Sequence, residues 1–177
     1  MNDKDLRVIK TKESIENAFL TLLQRKPPGK ISIVELSRLA RINKSTFYLH
    51  YTDIFDLYQK TTKHQMEKAF TDADYFTDFF DNPKRFCEKI TASFSSNLAT
   101  IGLLSKSAGR HFMLTETMDL IRNRIYATGR LQRSIVNDIK LDALFPSLLV
   151  CKPKYEKDHN KEFEQVMLTM ISEFKSD

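Results

Sequence analysis

The sequence predicts an all-α protein: an N-terminal three-helix unit built around a helix-turn-helix, then a C-terminal helical bundle. Three observations carry this. Apolar residues recur at helical spacing through most of the 177 residues. No stretch sustains the alternation of a half-buried strand. Residues 32–51, SIVELSRLARINKSTFYLHY, spell two short helices with only Arg41, Ile42 and Asn43 between them.

Each element has a local reason. Ser32 followed by Glu35 is a capping-box pattern, which starts a helix by satisfying free backbone N–H groups. Ile33, Leu36, Leu39 and Ala40 give that helix an apolar face. Asn43 is expected to cap a second helix opening at Lys44, with Phe47 turned inward and Tyr51 in the core. Asp53 and Asp56 start the next helix, whose apolar face runs Phe55, Tyr58, Thr62, Met66, Ala69 and Phe70. Asn82 with Pro83 opens another, with Phe86, Ile90, Phe94, Leu98 and Ile101 in register and Gly102 as its expected stop. Leu114, Met118, Ile121 and Ile125 mark a further helix that ends near Gly129. Residues 139–151, IKLDALFPSLLVC, form an apolar segment in which Pro146 predicts a kink or break. A charged linker, 152–161, leads to a last helix from about His159, with Phe163, Val166, Met167, Met170, Ile171 and Phe174.

Charge is unevenly placed. Residues 1–51 hold ten Lys and Arg against five acids, while the whole chain, with 28 against 23, has the same net charge of +5. The other 126 residues are therefore neutral, and the surplus sits on the segment with the helix-turn-helix. That asymmetry suggests an anionic partner at this end, although a solvated lysine-rich surface has the same composition. No apolar run of 18 residues predicts a membrane span, and the N-terminal residues lack the apolar core of a signal peptide. Cys87 and Cys151 show no pairing motif, which fits a reducing compartment, so a cytoplasmic protein is expected. No nucleophile–base arrangement, phosphate loop or metal-ligand spacing is recognisable, so no enzyme activity, metal or cofactor is expected; His64, His111 and Cys87 read as structural.

In a helix-turn-helix, the N-terminal residues of the second helix meet base edges in the major groove. Lys44 there is a contact to a phosphate or a guanine edge, or a solvated helix-start lysine. Ser45 and Thr46 are base-contacting or capping residues. His50 is a phosphate contact or a plain surface histidine. Ser32, at the start of the first helix of the pair, offers a second phosphate position, beside Lys30.

Residues 8–68 resemble the DNA-binding domain of the tetracycline-repressor (TetR) family of bacterial regulators. The residues carrying the resemblance are a leading amphipathic helix with Ile15, Ala18, Phe19, Leu22 and Leu23, then Ile31-Ser32-Ile33, Glu35-Leu36, Leu39-Ala40, Ile42, and 44–51 with Asp53 after it. The resemblance implies a DNA-binding domain at 1–52 and a regulatory and dimerisation domain at 53–177. It implies Tyr48 lying along the DNA backbone and a motif core of Leu36, Ala40, Ile42, Phe47 and Tyr51. Two positions depart from the family pattern: the turn commonly has Gly where this chain has Arg41, and a phosphate-contacting Lys is commonly found where this chain has Ile54.

The resemblance further implies a small-molecule pocket in the second domain. Phe79, Phe86, Phe94 and His111 are the candidates for its wall, with plain core packing as the alternative for the aromatics. It also implies dimerisation through the last two long helices; Leu148, Phe163, Met167, Met170, Ile171 and Phe174 are the candidates, with intramolecular packing as the alternative. The expectation is a homodimeric repressor on a palindromic operator in double-stranded DNA, released by an unidentified small-molecule effector, with no membrane partner. The alternative is a co-regulator of the same fold acting through a protein partner.

Overall fold

The computed structural model describes residues 3–70, 73–105, 110–151 and 160–175. The linker 152–159 lies outside the described residues, as does the side chain of Cys151. Ten α-helices are found among the described residues: α1 (Asp3–Leu23), α2 (Ile33–Leu39), α3 (Lys44–Tyr48), α4 (Ile54–Ala69), α5 (Asp78–Asp81), α6 (Pro83–Ser96), α7 (Leu98–Ser105), α8 (Arg110–Ala127), α9 (Ile135–Pro146) and α10 (Asn160–Ser172). The chain divides into two compact units, residues 1–65 with 99–113 and residues 66–98 with 114–177. Compactness thus divides the chain elsewhere than the 52/53 boundary of the motif, because most of α4 joins the first unit and α7 returns to it.

In the first unit α1 buries the face read from its sequence: Ile15, Ala18, Phe19, Leu22 and Leu23. Leu36 and Ala40 of α2, Phe47 of α3 and Tyr51 after it complete the motif core; Ile42 is half-buried. Leu57 and Tyr58 of α4 join them, and the Tyr58 hydroxyl donates to the Leu104 carbonyl of α7 at 2.8 Å. Leu39 departs from the expected apolar face and is exposed, while Ser37 is buried in its stead. Phe55 is likewise exposed, lying on the outer side of the first turn of α4.

Capping follows the sequence with one exception. The Ser32 hydroxyl accepts from the Glu35 N–H at 3.2 Å, and the Glu35 carboxylate pairs with Lys26. Asp53 accepts from the Asp56 N–H at 2.8 Å and Asp56 accepts from the Thr52 N–H at 2.9 Å, a reciprocal cap for α4. Asn43 has the extended backbone of a cap, but its side chain makes no capping bond. Only its carbonyl serves α3, accepting from the Thr46 and Phe47 N–H groups.

The second unit is organised around aromatic side chains. Phe79 and Phe86 are fully buried, with ring centroids 5.2 Å apart; Phe174 lies 5.3 Å from Phe79 and Phe145 lies 6.1 Å from Phe86. Ile121, Ile125, Leu141, Leu144, Leu148, Met167 and Ile171 close the core. Asn82 caps α6 through the Arg85 N–H at 3.2 Å, with Pro83 in the first turn. The expected long helix through Ile101 breaks at Asn97, whose φ of −107° and ψ of 8° leave the helical range. Gly102 is therefore not a stop: it lies inside α7. Gly129 is the expected stop of α8, with φ of +72°. Pro146 ends α9, and residues 147–151 continue as a wider π-type turn, which accommodates the missing proline N–H. On the flank of α8, the Arg122 guanidinium bridges Asp142 at 2.8 Å and pairs with Asp119 of its own helix.

Candidate nucleic-acid interface

The turn between α2 and α3 sets the direction of α3. The Ile42 N–H donates to the Ser37 carbonyl at 3.0 Å, and the Arg41 N–H to Arg38 at 3.2 Å. These two bonds form a Schellman motif, which requires a left-handed residue at its corner. That residue is Arg41, with φ of 56°, and it is the one described non-glycine residue with positive φ. The position at which the TetR pattern commonly has Gly is thus left-handed here, and the fold absorbs the cost of an arginine. The Ser14 hydroxyl of α1 helps by donating to the Ala40 carbonyl at 2.8 Å.

From this turn α3 is short, five residues, and sharply two-faced. Phe47 is fully buried, its ring tilted against the buried Tyr51 at 5.7 Å. The opposite face carries Lys44, Ser45, Tyr48 and Leu49, all exposed, with Thr46 and His50 half-buried at its margins. Tyr48 is 51% and Leu49 79% exposed. The Lys44 ammonium sits 5.9 Å from the centre of the Tyr48 ring, so charge and phenol are presented together. Ser32 is exposed at the start of α2.

A part-buried polar pair links α1 to α4. Glu16 of α1, almost fully buried, lies with Oε2 2.7 Å from His64 Nδ1 of α4. A carboxylate only accepts, so that nitrogen carries the proton. Burial first, then the Glu16 and Asp56 charges, push the Tyr51 pKa well above the ordinary phenol value. Partial burial, and after it the charge of Lys12, lowers the His50 pKa below 6.5. The shift favours the neutral ring, which has one N–H to donate.

Other expected residues are distributed differently. Phe79 and Phe86 are filled core of the second unit, with Phe94 half-buried at its edge. His111 is exposed and belongs to the first unit, so the four candidate wall residues do not lie in one compact unit. One pocket of about 120 Å³ in the second unit is lined by Lys84, Cys87, Glu88, Leu148, Asn160, Phe163, Glu164 and Met167, with Lys84 paired to Glu164 at 2.9 Å. Leu148, Met167, Ile171 and Phe174 are buried within the same unit, and Phe163 and Met170 pack half-buried against its core. The large apolar side chains that α9 and α10 leave exposed are Ile135, Val136, Ile139 and Val166. The sequence marked both segments as apolar but did not show which of their side chains the unit itself already covers. Leu49 was absent from the sequence-derived set; its position four residues after Ser45 was the available signal. Among the described residues no three metal-ligating side chains cluster, and no helix is long and apolar enough to cross a membrane.

No protein-family profile matches the chain, and no curated protein matches it by sequence. Solved structures do. A TetR transcriptional regulator from Streptococcus agalactiae 2603V is 22% identical, with a TM-score of 0.57 over 97% of each chain. A candidate tetR-family transcription regulator from Shewanella sp. PV-4 is 15% identical, with a TM-score of 0.58 over 91% of this chain and 95% of that one. The dihydroxyacetone kinase operon activator DhaS is 13% identical, with a TM-score of 0.57 over 93% and 96%. The chain has the all-α fold of TetR-family transcription regulators.

Proposed function

We propose that this protein is a TetR-family, sequence-specific DNA-binding transcriptional regulator, a homodimer that represses from a palindromic operator and leaves it when a small molecule binds in residues 53–177. The observation that carries the reading is the exposed face of α3, with Lys44, Ser45 and Tyr48 projecting from a helix whose other side is fixed by Phe47 and Tyr51. A lysine and a tyrosine hydroxyl are phosphate-bonding groups, and a small hydroxyl at a helix N-terminus suits a base edge. Ser32, Thr46 and His50 flank that face and complete the proposed DNA contacts. Two recognition helices about 34–36 Å apart would enter successive major grooves. Ile135, Val136 and Ile139 of α9, with Val166 of α10, supply apolar surface for a second copy. A cytoplasmic location follows from this reading.

A second reading, regulation through a protein partner, has its own support: one protein of the same fold is named an operon activator, and the aromatic cluster expected to wall a ligand pocket is filled core. Selection of bound fragments from the host genome by the purified protein tests the main reading. A palindromic site retained by wild type, occupied by two protomers and lost by Lys44→Ala/Tyr48→Ala, is the expected result. Equal, salt-sensitive binding by both proteins would refute it, and a stoichiometric protein that co-purifies and alters site occupancy would favour the second reading.

A further inference from the structure

We infer that Leu49 is a specificity-determining residue that reads the methyl group of a thymine in each half-site; the inference rests on the DNA-binding reading above. Leu49 is the most exposed of the large apolar side chains in the first unit, at 79%, and it follows directly on the recognition helix. Its backbone remains helical, with φ of −71° and ψ of −20°, and its N–H donates to the Ser45 carbonyl at 3.2 Å. Positions 45 and 49 are therefore neighbours on one helix face, with Tyr48 alongside. That face is otherwise polar, and its opposite side is anchored by the buried Phe47, so Leu49 has no core to enter.

A leucine has no donor or acceptor and cannot read the hydrogen-bonding pattern of a base pair. The apolar group that a base pair displays in the major groove is the 5-methyl of thymine. Four residues of helix advance about 6 Å, and base pairs stack about 3.4 Å apart, so the thymine lies within about two base pairs of the position met by Ser45. Cytosine carries only a hydrogen at C5, and adenine and guanine present mainly donors and acceptors, so none of the three offers the leucine a methyl group to cover.

The test uses the full chain and replaces each thymine of the selected site in turn with deoxyuridine, which removes the methyl and nothing else. Affinities are measured for wild type and Leu49→Ala, whose thermal melts are compared to confirm folding. The expected result is one position per half-site at which deoxyuridine weakens wild type about fourfold and leaves Leu49→Ala unchanged. A wild type that selects a site yet is indifferent to every deoxyuridine, or a variant equally sensitive, overturns the assignment of Leu49 while leaving DNA recognition standing. A wild type that selects no site overturns the reading beneath it.

Discussion

Replacing Arg41 by glycine should stabilise the protein, although it deletes a long side chain and a charge. Arg41 holds φ at 56° in the Schellman turn that closes α2. A left-handed conformation costs an L-residue about 1–2 kcal/mol, from the approach of Cβ to the backbone. Glycine has no Cβ, so that cost disappears. Against it, glycine gives the unfolded chain more conformations, a penalty of about 0.4–1 kcal/mol. The Arg41 side chain is exposed, so no burial is lost. The balance is about 0.5–1 kcal/mol in favour of Arg41→Gly, or about 1–4 °C in Tm for a chain of this length. Thermal and urea melts of wild type, Arg41→Gly, Arg41→Asn and Arg41→Ala provide the check. Glycine should rank first and asparagine, which tolerates this region, above alanine. Should glycine melt at or below wild type while alanine matches asparagine, the turn does not carry the strain assigned to it.

Other expectations follow the same reasoning. Gly102 lies within α7, and a methyl group added to it would meet no atom within 4 Å, so Gly102→Ala should raise stability by about 0.5–1 kcal/mol; a melt showing no gain would place the constraint in the backbone. Phe86→Ala should cost about 3–5 kcal/mol by opening the aromatic core of the second unit, visible as loss of a cooperative near-ultraviolet transition; a cost under about 1 kcal/mol would mean that core is loosely packed. His50 begins below its ordinary pKa in the free protein, and an adjacent phosphate favours its charged form. Binding would then take up a proton, and affinity for DNA should rise as pH falls from 7 through 6.5 and below. The rise should vanish in His50→Gln; a persistent pH dependence would exclude His50 as its source.

Much of the first unit was legible because its signals are local. Ser32, Asp53 and the spacing of Ile15, Phe19, Leu36 and Phe47 depend on near neighbours in the chain, and the structure bears them out. Arg41 was legible as an oddity, since left-handed geometry is demanded by turn chemistry whichever residue occupies the corner. What failed was what depends on distant packing. Leu39 matches the helical period but finds no partner, and Asn97 breaks a helix whose apolar register runs on to Ile101. The aromatics at 79 and 86 have the composition of a ligand wall and of a core alike. Only the rings brought to them from Phe145 and Phe174 decide that they are core.

The bond from Tyr58 to the Leu104 carbonyl bears on how the molecule is made. The first unit is closed by residues 99–113, which leave the ribosome well after α1 to α4. At about 5–20 residues per second, the helix-turn-helix waits for several seconds beside an incomplete core. During that interval the Tyr58 hydroxyl lacks its native acceptor, and the surface that Ile101 and Leu104 will cover stays wet. A gene fragment ending at codon 65 would make that condition permanent. The sequence between residues 66 and 98 is thus an insertion in the order of synthesis, and the first unit is complete only after that insertion has been translated.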